Sequence, residues 1–349
     1  KAWDYPSLVP MLYKYVNTYG NVFIILLDLR LTMWKYLLKR IGLAIIILLG
    51  ASALIYLLSM LMPADYIDNQ TSAALQSGAM TMEDVMRLKE LYGLADKSFG
   101  GIVKSYISWL KSTISGDLGF SFLYGKPVTK VLSEYIWISF MIAFISYILQ
   151  IAIGIPMGIK ASVSQYSAYD YTVSVFAMMG TALPSFFLSA LLMNVFAIKL
   201  GIFPLQGLTT ATTVFAPDEH LKILLDKAWH LVLPITVLTL LNVGGTMKFT
   251  RTNMLEVLNS DYIRTARAKG LSEKAVTYKH AFRNTMIPLV TSLSGMLPGL
   301  FGGAMITETV FAIPGIGYMA LRATRQGDIP FIMGYNMFLA ILTVAGMLI

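Results

Sequence analysis

Tyr135-Ile-Trp-Ile-Ser-Phe-Met-Ile-Ala-Phe-Ile-Ser-Tyr-Ile-Leu-Gln150-Ile-Ala-Ile-Gly-Ile-Pro-Met-Gly-Ile159 contains no Asp, Glu, Lys or Arg. A helix of about 20 mostly apolar residues crosses the hydrocarbon core of a bilayer, so this stretch reads as a membrane crossing. Five more runs of the same character lie at about 41–62, 171–198, 228–247, 286–307 and 330–349. The pattern predicts an all-α integral membrane protein with six transmembrane helices. Transporters coupled to protons or sodium commonly carry ionisable residues at membrane depth, within inverted repeats. Neither feature is evident, which argues against a secondary transporter and places the energy source outside the chain.

Of the 349 residues 56% are hydrophobic and 13% charged, too few charges to coat a soluble globule. The net charge of +8 has the sign of a nucleic-acid binder, but the Lys and Arg sit beside apolar runs, where they fix membrane orientation. Membrane lipid is the expected surrounding, and no nucleic-acid partner is expected. Zero cysteines exclude disulfides, thiolate metal sites and cysteine nucleophiles. His220, His230 and His280 are too scattered for a metal cluster or a catalytic set, so neither a metal nor an enzymatic activity is predicted. The 21 methionines, spread through the apolar runs, read as packing residues.

Lys35, Lys39 and Arg40, just ahead of the first run, place the N-terminus in the cytoplasm. Six crossings then put the loop 248–285 on the same side. It holds eight basic residues (Lys248, Arg251, Arg264, Arg267, Lys269, Lys274, Lys279, Arg283) against three acidic ones (Glu256, Asp261, Glu273). Segment 63–134 holds seven basic and eight acidic residues, as expected of a translocated outer loop. Amphipathic spacing predicts short helices there, over Met82–Tyr92 and Ile102–Ile114.

The expected organisation is an N-terminal extension over 1–32, a first crossing with its basic flank over 33–62, an extracytoplasmic helical loop over 63–134, and a transmembrane core over 135–349. Within the extension Val22–Leu27 is too short and interrupted to cross alone, and a surface amphipathic helix is the alternative reading. The last crossing is expected to be incomplete, because the sequence stops at Ile349 inside an apolar run. Helix breakers interrupt several runs: Gly154 and Pro156, Gly180 and Pro184, Pro234, Gly244 and Gly245, Gly295 and Pro298. They read either as ordinary kinks and close helix packing or as hinges of a gated pathway.

The loop 252–285, between the fourth and fifth crossings, includes Asp261-Tyr-Ile-Arg-Thr-Ala-Arg-Ala-Lys-Gly270-Leu-Ser-Glu-Lys-Ala-Val-Thr-Tyr-Lys-His280-Ala-Phe-Arg-Asn-Thr-Met-Ile-Pro288. Residues 261–269 favour helix, Gly270 supplies a left-handed residue to close it, and Ser272 is placed to cap a second helix. That second helix is expected to run through Asn284 and to end before Pro288. Composition alone fits a solvated basic loop equally well. The order of the residues instead describes a short basic helix, a tight turn and a second helix, which is the shape of a docking element.

This stretch closely resembles the EAA loop of ABC importer permeases, in the form carried by the oligopeptide/dipeptide/nickel family. The generic signature opens Glu-Ala-Ala, where this chain has Arg264-Thr265-Ala266 before Arg267-Ala268-Lys269-Gly270, and Pro288 lies farther from the glycine than in the generic form. Both departures are usual in the peptide and nickel branch. The resemblance covers about residues 33–349 and extends to Leu88-Lys-Glu-Leu-Tyr-Gly-Leu94, Gly116-Asp-Leu-Gly-Phe-Ser-Phe122 with Pro127-Val128, and Glu308-Thr-Val-Phe-Ala-Ile-Pro-Gly-Ile-Gly317 with Asp328-Ile-Pro330. Glu134-Tyr-Ile-Trp-Ile-Ser139 departs from relatives that often place a proline there.

The resemblance implies a permease subunit of the bacterial cytoplasmic membrane, working by alternating access with a homologous second permease subunit, two ATP-binding subunits and an extracytoplasmic substrate-binding protein. ATP and Mg would be used by the partner subunits, consistent with the lack of a Gly-x-x-x-x-Gly-Lys-Ser/Thr loop here. Residues Asp261, Tyr262, Ile263, Arg264, Thr265, Ala266, Arg267, Ala268, Lys269, Gly270, Leu271 and Ser272 would form the coupling helix and its turn. Apolar contacts from Tyr262, Ile263, Ala266 and Leu271 are expected to outweigh ion pairs there. Gln150, Ser185, Asn194, Asn242 and Thr246 are the candidate pathway lining, with interhelical hydrogen bonds as the competing account. Oligopeptides or dipeptides are the expected cargo, with nickel or another small solute as the alternative.

Overall fold

A computed structural model of the chain describes residues 22–62, 66–78, 80–91, 98–211, 213, 216 and 219–348. Helix α1 spans Val22–Met60, with Leu38–Met60 as its membrane-crossing part. The expected boundary near residue 33 is therefore not a break in the helix: residues 22–41 contain neither Gly nor Pro, and nothing in the sequence interrupts the hydrogen-bond ladder. Residues 1–21, the rest of the predicted extension, lie outside the described residues.

The segment after α1 folds into helices α2 (Tyr66–Gln76), α3 (Met82–Leu91) and α4 (Phe99–Ile114), then a two-stranded hairpin of β1 (Phe120–Ser121) and β2 (Lys126–Pro127). Helices α3 and α4 match the amphipathic segments read from sequence. Tyr92, and with it part of the stretch Leu88–Leu94, falls outside the described residues. Ser98 caps α4 by accepting from the Gly101 N–H at 3.1 Å.

From the hairpin the chain enters α5 (Val128–Val163), then α6 (Ala168–Ala182) and α7 (Ser185–Leu192), which is prolonged by a π-helical segment, Met193–Lys199. The predicted crossing 171–198 is thus broken, with its halves bent by 105°. Leu183 is extended (φ −76, ψ 131), the conformation that a residue before proline favours, and Pro184 leaves α7 to start afresh. Pro156 and Pro234, by contrast, sit inside uninterrupted helices.

Helix α8 (His220–Leu258) leads into α9 (Asp261–Ala268), α10 (Glu273–Ala275), a π-helical segment (Val276–Phe282) and α11 (Arg283–Ser294). The second loop helix does not stop before Pro288, as the sequence predicted, but carries it inside α11. Prolines are tolerated in membrane helices because neighbouring groups and local π adjustments absorb the missing donor, and a π segment lies directly upstream. A 3-10 turn (Leu297–Phe301), α12 (Met305–Val310), α13 (Ile316–Gln326) and α14 (Ile329–Leu348) complete the described chain. The run 286–307 is divided among α11, the 3-10 turn and α12, so the described residues supply four long apolar helices, or five crossings if the bent pair counts as one.

The most extensive helix pairing joins α5 to α8. Bilayer lipid offers no hydrophobic gain for helix association, so close approach and hydrogen bonds must hold the pair. A methyl group on Gly158 would lie 2.6 Å from the Met247 carbonyl oxygen, and one on Gly244 would collide with the Ala177 backbone of α6. Only glycine permits those distances. Leu43, Ile46, Leu54 and Leu58 of α1 point outward and fit a lipid-facing surface.

Candidate functional site

Two features of the folded chain carry chemistry: the loop after α8 and a cavity between the long helices. In the loop, α9 is anchored by Ile263 and Ala266, buried against Ile159 of α5, Met254 of α8, and Val276 and Ala281 of the following helix. Gly270 closes α9 at φ +78, with its N–H on the Arg267 carbonyl at 2.9 Å and the Leu271 N–H on Ala266 at 3.4 Å. Ser272 then caps the next helix, accepting from the Ala275 N–H at 3.3 Å. Across the turn the Arg267 guanidinium donates twice to Glu273, at 3.0 and 3.3 Å.

The left-handed glycine and the cap at Ser272 stand where the sequence placed them. The apolar surface differs. Ile263 and Ala266 face inward and serve as anchors, while Tyr262, Leu271 and Tyr278 remain exposed with Asp261, Arg264, Thr265, Arg267, Ala268, Lys269, Gly270 and Ser272. The i, i+3 spacing of Ile263 and Ala266 was the available sign of an inward stripe. Tyr278 escaped notice because it lies beyond the turn. Arg264 reaches Asp261 at 3.5 Å, with both side chains largely in solvent.

The cavity, of about 470 Å³, is lined by Ser146, Tyr147 and Gln150 of α5, Asn242 of α8, and Met296 and Gly299 beside the 3-10 turn, among others. The buried Gln150 donates from Nε2 to Thr246 Oγ1 at 2.6 Å and approaches Met296 Sδ at 3.8 Å. Asn242 spends its amide N–H on Leu238 of its own helix. Of the five polar residues singled out in the sequence, Gln150 and Asn242 line this cavity and Thr246 supports Gln150 from behind. Ser185, at the start of α7, and the exposed Asn194, in the π segment, do not border it. Ser146, in contact with Thr239 at 3.3 Å, was missed, since one hydroxyl in an apolar run gives no directional signal.

At the opposite end of the bundle from the loop, two buried carboxylates tie the chain together. Glu308 accepts from Ser139 Oγ (2.6 Å), the Tyr318 N–H (2.9 Å) and the Ala304 N–H (3.0 Å). Asp328 accepts from Ser121 Oγ (2.5 Å), the Leu123 N–H (3.0 Å) and the Phe331 N–H (3.3 Å). Nearby, burial pushes the Tyr124 phenol well above its ordinary range, and its hydroxyl donates to the Met319 carbonyl at 2.7 Å. Among the described residues no three His, Asp or Glu side chains are grouped to hold a metal ion.

Long apolar helices packed through glycines, with a partly polar cavity between them and a basic loop at one end, describe a multi-pass membrane protein. Residues 150–349 match the family described as binding-protein-dependent transport system inner membrane component, and the chain belongs to that family. It is 33% identical over 318 residues to the oligopeptide transport system permease protein AppB of Bacillus subtilis (strain 168), covering 91% of this chain and 96% of that protein. A putative peptide transport system permease protein of Brucella suis biovar 1 (strain 1330) is 33% identical, over 90% of this chain and 94% of that one. The dipeptide transport system permease protein DppB of Alkalihalophilus pseudofirmus is 32% identical, over 86% and 91%. The protein is thus a multi-pass permease component of an ABC importer in the inner membrane, and family membership implies ATP-binding and substrate-binding partners.

Proposed function

We propose that this chain is the permease subunit through which oligopeptides or dipeptides cross the cytoplasmic membrane. The observation that carries the cargo is similarity along nearly the whole chain to permeases named for those peptides. In this reading the N-terminus is cytoplasmic and the chain makes six crossings, the fifth through the interrupted segment from α11 to α12. The loop Asp261–Ser272 docks in a cleft of an ATP-binding subunit. A homologous second permease completes the pathway, two ATP-binding subunits use ATP and Mg, this chain binds neither, and an extracytoplasmic binding protein delivers the peptide.

The geometry supports a division of labour in the loop. Ile263 and Ala266 fix α9 to the bundle, and the Arg267 to Glu273 pair with the Gly270 turn keeps its shape. Tyr262, Leu271 and Tyr278 supply the apolar contact area to the partner, since exposed ion pairs contribute only about 0–1 kcal/mol. The cavity beside Gln150 and Asn242 offers amide groups to a peptide backbone. The pathway switches between inward-open and outward-open forms as the docked loop moves as a rigid body.

The test is purification from the native membrane in mild detergent, identification of co-purifying proteins and peptide uptake in proteoliposomes. A second permease, P-loop ATPases and vanadate-sensitive peptide uptake are expected. Active chain that comes alone, or an ATP-dependent complex that moves another solute and no peptide, would overturn the assembly or the cargo respectively.

A further inference from the structure

Asp170, in the first turn of α6, is buried, and Arg251 of α8 meets it with two parallel bonds, Nε to Oδ1 at 2.6 Å and a terminal guanidinium nitrogen to Oδ2 at 2.7 Å. The same carboxylate accepts from the N–H of Tyr166, which is held in the left-handed region at φ +62 in the link between α5 and α6. Ser167 caps α6 by accepting from the Asp170 N–H at 3.2 Å. One side chain therefore joins the α5–α6 link, the start of α6 and the body of α8.

Two observations show what that junction connects. Arg251 lies one helical turn before Met254, the residue on which the docking helix rests through Ile263 and Ala266. Farther along α8, Gly244 and Gly180 bring α6 and α8 so close that a methyl at Gly180 would lie 2.7 Å from the Leu240 carbonyl oxygen. Helix α6 is thus fixed to α8 at both ends of their contact. Just past Gly180, the crossing breaks by 105° at Leu183 and Pro184. Just beyond the break, the buried hydroxyl of Ser189 in α7 has no hydrogen-bond partner among the described residues. Buried polar groups are normally paired.

We propose that Asp170 and Arg251 are positioning residues of the transport cycle, which make the α6 half of the broken crossing travel with the docking loop while the bend at Leu183–Pro184 takes up the motion. A bidentate guanidinium–carboxylate pair fixes direction as well as distance, so it transmits rotation where a point contact would slip. The proposal rests on the importer reading above.

The sequence has no cysteine, so spin-label pairs can be introduced and labelled on the purified chain before the complex is assembled. In the full complex reconstituted in lipid, one pair is set at Lys274→Cys, on the exposed helix just past the docking segment, and Tyr171→Cys, and another at Tyr171→Cys and Phe187→Cys. Distances are compared between nucleotide-free and vanadate-trapped states, together with peptide transported per ATP hydrolysed. The first distance should stay constant and the second should change. Asp170→Asn should broaden the first and lower transport per ATP by about fivefold or more, and Arg251→Lys, which keeps charge but not the two-bond geometry, should fall between. A first distance that shifts as much as the second in the parent complex overturns the clamp, as does Asp170→Asn with unchanged distances and coupling. A parent complex with no ATP-driven uptake overturns the importer reading itself.

Discussion

At the end that carries the loop Asp261–Ser272, Asp170 is buried against a guanidinium; at the other end Glu308 and Asp328 are buried with no ion-pair partner among the described residues, satisfied by serine hydroxyls and backbone N–H groups. Asp170 takes two of its bonds from one partner side chain and a single one from the backbone, the Tyr166 N–H. Carboxylates held by N–H groups require the backbone to stay where it is, and around Glu308 that backbone is crowded. A methyl on Gly317 would lie 3.0 Å from its carboxylate, and one on Gly315 would overlap it. The loop end is joined mainly side chain to side chain, and the opposite end is tied through backbone N–H groups and serines across 169 and 207 residues of sequence.

The largest effect should come from breaking that tie. Glu308→Ala leaves the Ser139 hydroxyl and the N–H groups of Ala304 and Tyr318 without their acceptor, a loss of about 3 kcal/mol or more. It should appear as a much lower thermal midpoint of the purified protein, and a parent-like midpoint would dissolve the contrast between the ends. Next, Gly244→Val forces a branched side chain into the Ala177 backbone and should cost about 1–3 kcal/mol by the same measurement. If it is neutral, α6 and α8 are not locked.

Smaller still is Gly270→Val. Nothing lies within 4 Å of the position, so the penalty is the left-handed backbone alone, about 1–2 kcal/mol. The thermal midpoint should shift little while transport in a normally assembled complex falls, and full transport would remove the docking role from this turn. Arg267→Ala deletes a solvent-exposed pair and should change stability by less than about 1 kcal/mol. A larger loss would mean that the ion pair, not the Ile263 and Ala266 anchors, holds α9 in place.

What the sequence revealed follows the same division. The loop was legible because its determinants are local: a glycine closing one helix and a serine opening the next, within a few residues. The long crossings were legible because hydropathy accumulates along a run. The bend in the third run was not, since Pro184 reads like Pro156 and Pro234, and what separates them is whether the chain must turn. Glu308 and Asp328 lie within the resembling segments with no local sign of a role, because Ser139, Ser121 and Leu123, which tie them across the chain, lie far away in sequence. The glycines at 315, 317 and 327 beside them were the available hint that backbone N–H groups stand open to a carboxylate. The cavity was half visible, since Gln150 and Asn242 look no different in a hydropathy plot from Ser185 and Asn194.

Helix α8 is 39 residues long, about 58 Å, close to twice the ~30 Å thickness of a hydrocarbon core. Nearly half of its length exceeds that thickness, with the loop Asp261–Ser272 at its tip. Such a rod is a lever arm: a tilt of about 5° about one end carries the other through about 5 Å, a full helical turn of travel. The loop needs no flexibility of its own to register so small an angle, only a firm mounting.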